Sequence, residues 1–235
     1  MKTRRQKTTK NKTRKTTRKT TRNTTRKTTR NTKQILLNAF EGLSGYGYST
    51  ENVTNNLVVP TYGELTMDGY QRMVRGIKTT NSHFYDLGSG IGKIVFYGAL
   101  LSKFKSSTGV EIIRERAKMS NTIKHRLLYG QNKQKLTKYQ KERINAINLL
   151  NASMFNKRFF TNDDPCVYFL SSLCFTEEMK KRLANYFNKY RRNKKTHIFT
   201  SKQLDINVHS KFTSFPVEMT WSQSSELFHY YIPEK

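Results

Sequence analysis

Asp86, Gly88, Gly90, Gly92 and Glu111 are the residues of this 235-residue chain whose types and spacing could build a ligand site. They lie in His83-Phe-Tyr-Asp-Leu-Gly-Ser-Gly-Ile-Gly-Lys93 and in Thr108-Gly-Val-Glu111. Glycines in a turn let backbone approach a nucleotide, and a carboxylate at the end of the next strand can accept hydrogen bonds from ribose hydroxyls. A dinucleotide fingerprint needs Gly or Ala at the third position of G-x-G-x-x-G, and Lys93 stands there instead.

Those residues require a strand, a turn, a helix and a second strand. The apolar run into the turn supplies the first strand, Ile94 to Phe104 the helix, and the short run into Glu111 the second strand. Tyr70, Met73, Val74 and Ile77 fall at helical spacing and predict a core-facing helix upstream. Ile112 to Leu128 predicts a further helix, while Gln131 to Lys141 is polar and lysine-rich, a surface connection or a solvated helix. Ile147 to Leu150 and Cys166 to Leu170 read as buried parallel strands. Thr176-Glu-Glu opens a helix with acids in its first turn, and Met179, Leu183, Tyr186 and Tyr190 mark its apolar face. Ile198-Phe199, Val217 to Trp221 and Leu227 to Ile232 are three more strands. Strands alternating with helices, then two strands in succession, predict an α/β Rossmann-like sheet closed by an antiparallel hairpin.

Charge divides the chain. Residues 1–33 carry 15 Lys or Arg and no acid, leaving 29 basic and 16 acidic residues after them. Thr-Thr-Arg-Lys and Thr-Thr-Arg-Asn recur there with almost no apolar residue, so too little surface can be buried to repay chain entropy and a disordered tail is expected. Such a tail suits a polyanion, because neutralising phosphates releases counterions; a solubilising tail or a nuclear import signal are the other readings. Residues 34–61 form a short lead-in and 62–235 the folded domain. The basic start is not followed by an apolar segment, so no secretory signal is expected, and no apolar run is long enough to cross a bilayer. Cys166 and Cys174 lack the spacing of a zinc site and the five histidines are scattered, so no metal is assigned and both thiols are expected reduced and partly buried.

Gly88-x-Gly90-x-Gly92 after Asp86 resembles the S-adenosylmethionine motif of class I methyltransferases. Tyr62-Gly-Glu-Leu65, Val167-Tyr-Phe-Leu-Ser-Ser-Leu-Cys-Phe175, Thr200-Ser-Lys202, Met219-Thr-Trp-Ser222 and Tyr230-Tyr-Ile232 follow in an order that resembles the disruptor-of-telomeric-silencing (Dot-one) family, histone-lysine methyltransferases without a SET domain. The resemblance covers Pro60 to the C-terminus. It implies the class I architecture, a mostly parallel seven-stranded sheet with a C-terminal antiparallel hairpin, and S-adenosyl-L-methionine as cofactor. It also implies a substrate, a core lysine of histone three on an intact nucleosome, with the basic tail holding DNA. Tyr62, Gly63 and Glu64 would match the loop over the methionine end of the cofactor, Asp86, Gly88 and Gly90 the first cofactor motif, and Glu111 the ribose-binding acid. Tyr230 or Tyr231 would match an aromatic lining the lysine channel.

The chemistry agrees. Methyl transfer to an amine is an in-line displacement, so the protein supplies alignment, exclusion of water and a neutral nucleophile. A lysine of pKa about 10.4 lies ~3.4 units above pH 7, roughly 4.6 kcal/mol. An apolar aromatic channel lowers that cost, and Tyr230, Tyr231, Phe175 and Trp221 could build it. The sequence departs from the family where the fourth strand ends. Ser171-Ser172-Leu173-x-Phe175 replaces an Asn-Asn-Phe-x-Phe pattern, so the active-site amide becomes a shorter hydroxyl. Ser153 and Met154 stand where an acid and an aromatic are expected near the adenine. Alternatives are an RNA or DNA methyltransferase, against which Val167 to Phe175 contains no Asn/Asp-Pro-Pro-Tyr/Phe segment, and a catalytically weak chromatin-binding module. The nucleus is the expected location, or a viral replication compartment if the source is a large DNA virus.

Overall fold

The computed structural model describes residues 31–47, 63–131, 135–191, 195–206 and 210–233. Its centre is a seven-stranded sheet in the order β3-β2-β1-β4-β5-β7-β6. The strands are β1 His83–Leu87, β2 Ser106–Glu111, β3 Ile147–Asn151, β4 Cys166–Leu170, β5 Thr196–Thr200, β6 Lys211–Met219 and β7 Ser222–Ile232. All pair in parallel except β7, which lies antiparallel between β5 and β6. The chain moves outward from β1 through β2 to β3 and then returns to place β4 on the other side of β1. That reversal opens a crevice at the carboxyl ends of β1 and β4, where ligands of open α/β sheets bind.

The helices are α1 at 31–40, α2 Met67–Met73, α3 Lys93–Leu101, α4 Arg114–Tyr129, α5 Lys138–Asn145 and α6 Glu177–Tyr190. Local chemistry sets their starts. Thr66 caps α2 by accepting the Gly69 N–H, Thr137 and Gln140 form a reciprocal capping box on α5, and Thr176 accepts the Met179 N–H ahead of Glu177 and Glu178 on α6. Strand residues alternate between two cores. Phe84, Val167, Phe169 and Phe199 join residues of α1 to α5 in one, while Leu87, Tyr168, Leu170 and Ile198 join Leu183 and Phe187 of α6 in the other.

Several expectations shift. The boundary placed after Lys33 falls inside α1. Thr32 there is buried and accepts the Gln140 amide, and Lys33 pairs with Asp68 at 2.7 Å. The rest of the expected tail, residues 1–30, lies outside the described residues. The lysine-rich connection ends in α5, which buries Gln140 and Ile144. Helix α2 stops at Met73, before Ile77. Helix α6 buries Ala184 and Phe187 beside Met179 and Leu183, leaving Tyr186 to donate to the Phe155 carbonyl at 2.9 Å. Strands β6 and β7 begin well before Val217 and Leu227, because their outer stretches are solvent-exposed and carry no apolar run to read. Cys166 is a buried free thiol. Among the described residues no helix is long and apolar enough to cross a membrane, and no cluster of three or more His, Cys, Asp or Glu could hold a metal ion.

Candidate active site

The glycine turn leaves the carboxyl end of β1. Gly88, Gly90 and Gly92 sit at φ +98°, +55° and +84°, left-handed backbone that a side chain would strain. The N–H groups of Gly88 and Ser89 donate to the Val110 carbonyl at 2.8 and 3.0 Å, tying the turn to β2. Glu111, the last residue of β2, completes the tie. Its Oε2 accepts the Gly90 N–H at 2.7 Å and its Oε1 the Ile113 N–H at 2.8 Å. Asn151 at the end of β3 donates to the carbonyls of Glu111 and Ile112, both at 3.0 Å.

This cradle fits the ribose and amino-acid ends of S-adenosylmethionine. Each Glu111 carboxylate oxygen has accepted one N–H and retains lone-pair capacity for a ribose hydroxyl. Burial raises the Glu111 carboxyl above its usual range, against the opposing pull of the Ile113 and Gly90 N–H groups and of Arg116. Asp86, 2% exposed, is pushed well up by burial first, then by Glu111 and Glu64. Burial and mutual repulsion make ionisation of these acids costly, a cost that a cationic ligand beside them would relieve. Of the two positions expected near the adenine, Met154 reaches the turn, its methyl 3.6 Å from where a Gly88 Cβ would lie. Ser153 is exposed and its hydroxyl accepts the Phe155 N–H at 3.2 Å.

A second segment closes on this cradle from above. The Glu64 N–H donates to Thr220 Oγ1 at 3.0 Å, the Thr220 N–H returns to the Glu64 carbonyl at 2.8 Å, and the Thr66 N–H reaches the Glu218 carbonyl at 3.1 Å. Residues 63–66 are thus stitched to the turn between β6 and β7. Trp221 lies over Gly63 so closely that a Cβ there would stand 1.9 Å from the indole. The buried Glu64 carboxylate accepts from Lys93 Nζ at 2.5 Å, joining the segment to the first residue of α3. Tyr62 lies outside the described residues.

The other half of the rim is built by the exits of β4, β5 and β7. Ser171 follows β4, and its side chain caps nothing. Ser172 is fully buried and its hydroxyl accepts the Lys202 N–H at 2.9 Å, binding the β4 exit to the β5 exit. A groove of about 450 Å³ runs past Leu173, Ser201, Lys202, Trp221, Glu226 and Phe228. The aromatic expected from Tyr230 or Tyr231 is a correction. Tyr230 is 4% exposed, its hydroxyl donating to the Leu204 carbonyl and accepting the Leu204 N–H at 2.9 and 2.7 Å, so it is a satisfied core residue. Tyr231 pairs with His197 and stacks on it at 4.8 Å, near the amino end of β5 and away from the carboxyl-end crevice. Phe228, paired with Thr200 at the carboxyl end of β5, is the aromatic of β7 that reaches the groove.

Sequence reasoning passed over Lys93, Asn151 and Phe228 as parts of the site. Lys93 carried a signal, since a cation at a helix N-terminus opposes the dipole and asks for a partner. The run Leu227-Phe-His-Tyr-Tyr-Ile232 can be read in either phase, and nothing local chooses between them.

The profile of a family described as histone methylation protein DOT1 matches residues 50–227. No curated protein matches the chain significantly. Among solved structures the fold is similar to the candidate methyltransferase yhhF from Escherichia coli, at 10% identity and a TM-score of 0.51 over 72% of this chain and 86% of that one. A methyltransferase domain of a bacterial Hen1 superposes at 15% identity and a TM-score of 0.47, covering 72% of this chain and 98% of its own. TrmN from Thermus thermophilus superposes at 10% identity and a TM-score of 0.47, covering 72% and 48%. With the glycine cradle, the strand order and a profile match spanning most of the domain, the chain belongs to the DOT1 family of histone methylation proteins and has the fold of an S-adenosylmethionine-dependent methyltransferase.

Proposed function

We propose that this protein is an S-adenosylmethionine-dependent protein-lysine N-methyltransferase acting on a core lysine of histone three in nucleosomes, with its basic N-terminal segment binding DNA at chromatin in the nucleus or a viral replication compartment. The observation that carries the reading is the contact of Trp221 with Gly63, which links an aromatic-walled groove, through the Glu64–Lys93 pair, to the helix that follows the glycine turn in a chain of this family.

S-adenosylmethionine, when bound, supplies a methyl group on cationic sulfur. Glu111 would accept the ribose hydroxyls while holding the Gly90 and Ile113 N–H groups. Glu64, fixed by Lys93 and Thr220, would keep the 63–66 segment over the cradle and away from water. Ser171 would stand at the reacting end, where β1 and β4 part. Trp221 and Phe228 would wall the approach of the lysine, disfavouring its ammonium form and so lowering the cost of presenting a neutral amine. The amine's proton would leave through the open mouth of the groove.

The test offers labelled methyl donor with nucleosomes, free histones, RNA and DNA side by side. Label on histone three of nucleosomes is expected; label on RNA or DNA in its place would sink the reading. Deleting Met1 to Arg30 should leave melting temperature and cofactor affinity unchanged and reduce transfer mainly through a higher KM, because remote anchoring is shared by ground and transition states. It should also remove several units from the salt slope of nucleosome binding, at about 0.9 per neutralised phosphate. Equal slopes would leave the segment's role as import or solubility.

A further inference from the structure

Ser201 is 8% exposed, lines the groove, and its hydroxyl oxygen has no hydrogen-bond partner in the protein. Buried hydroxyls are nearly always partnered, so an orphan in the wall of a groove needs a reason. Its neighbours show the contrast. Thr200 Oγ1 donates to the Lys202 carbonyl at 2.5 Å, and Ser172 Oγ accepts the Lys202 N–H at 2.9 Å. The backbone of Ser201 is committed too, its N–H donating to the Leu170 carbonyl at 3.3 Å. Only the hydroxyl is left over, its oxygen shut from solvent in a residue that lines the same groove as Trp221 and Phe228, one turn about Cα–Cβ from facing it.

The register explains its position. Leu170 pairs with Thr200, so Ser171 and Ser201 leave the parallel strands β4 and β5 side by side. Ser171 occupies the position where an asparagine amide was expected, and serine is too short to reach as far. We propose that the polar group lost at Ser171 is supplied from the next strand, and that Ser201 is the residue that holds the acceptor amine by accepting one of its N–H bonds. A primary alkylamine fits this site. Its lone pair must face the methyl donor, one N–H is met by Ser201 Oγ once that side chain turns to the groove, and its methylenes lie against Trp221 and Phe228. Glu226 on the same wall, whose carboxylate accepts from Ser214 at 2.6 Å, would attract the ammonium form on arrival. Lys180, also at the groove, has its charge paired with Glu177 at 2.5 Å.

This assignment rests on the lysine-methyltransferase reading above, and the experiment separates the two. Trp221 is the only tryptophan of the chain, so its emission reports occupancy of the groove. Full-length protein is titrated with n-butylamine, a lysine side-chain mimic, and the same protein is assayed on nucleosomes. Wild type should give a saturable emission change, and Ser201→Ala should weaken it about tenfold while Ser201→Thr retains it. The kcat/KM on nucleosomes should fall about tenfold in Ser201→Ala, with cofactor affinity unchanged. The melting temperature should hold or rise, since the oxygen has no partner to lose. Butylamine binding equal to wild type, an unsaturable wild-type titration, or a drop of several degrees in melting temperature would each overturn the role of Ser201. Ser201-dependent amine binding by a wild type that leaves nucleosomes unlabelled would sink the histone reading and keep the amine site.

Discussion

The rim over β1 and β2 and the rim over β4, β5 and β7 edge the same sheet but are finished differently. On the first, Glu111, Val110 and Asn151 engage backbone groups of the turn and of the β2 exit, so the cradle is held by the chain itself. On the second, an open groove carries an orphan hydroxyl at Ser201, and the side chain of Ser171 caps nothing. A pocket for one invariant ligand can be rigid before binding; a site whose polar groups await a macromolecular substrate can be completed only by it.

The largest expected effect attacks the finished half. Glu111→Ala strands two buried N–H groups and removes the ribose acceptor, and should weaken S-adenosylmethionine binding tenfold or more by calorimetry while costing about 2–4 kcal/mol of stability. An unchanged dissociation constant would erase the distinction between the rims. Gly63→Ala next tests the join between them. A methyl there collides with Trp221, so the indole must move, with transfer falling about tenfold and roughly 1–3 kcal/mol lost to overpacking. An unshifted tryptophan emission spectrum would show that the contact is loose.

A third test uses the β5–β7 seam. His197 Nδ1 and His229 Nε2 share one hydrogen bond at 2.9 Å, and His229 stacks on Phe199 at 4.2 Å. Burial, and for His197 also the neighbouring His229, lowers both to about 4. Between that value and the unfolded 6.5 the unfolded chain binds protons that the fold refuses. The stability they contribute is therefore present above pH 6.5 and lost as pH falls through 4, about 2–3 kcal/mol for the pair after allowing for their partial exposure. Melting temperatures across that range should show a smaller acid loss in His229→Phe; identical profiles would remove the histidines from the account. Smallest is Lys93→Gln, which keeps a donor for Glu64 and should raise the cofactor dissociation constant no more than about threefold, whereas Lys93→Met should do more.

The same contrast decides what could be read from sequence. The β1-turn-α3-β2 unit is local, so Asp86, Gly88, Gly90 and Glu111 announce their arrangement within 26 residues. The acceptor rim is assembled from strands far apart in the chain, and its side chains depend on a register that no short window contains. The pairing of β6 with β7 shifts between Val217 and Met219, and a one-residue slip turns every side chain of a strand to the other face. Phe228 and Tyr230 share a face of β7, and their place along the strand separates them: Phe228 lies opposite Thr200 at the carboxyl end of β5 and lines the groove, while Tyr230 lies opposite Ile198 farther in and joins the core. Helix α1 was hidden for another reason. Its first residues share the Thr, Asn and Lys composition of the basic repeat, and only the distant Gln140 and Asp68 show that Thr32 and Lys33 belong to the fold.

The stitching of residues 63–66 to residues 218–221 also dictates an order of assembly. The strands β1, β2 and β3 can pair as soon as they are made, but the segment that roofs the cradle finds its hydrogen-bond partners only about 150 residues later in synthesis, when the last hairpin emerges. A nascent or prematurely terminated chain can thus possess the ribose acid and the glycine turn and still lack the roof. Competence to act arrives in a single late step, and a fragment ending before Thr220 should expose its cofactor to water and spend none of it on protein.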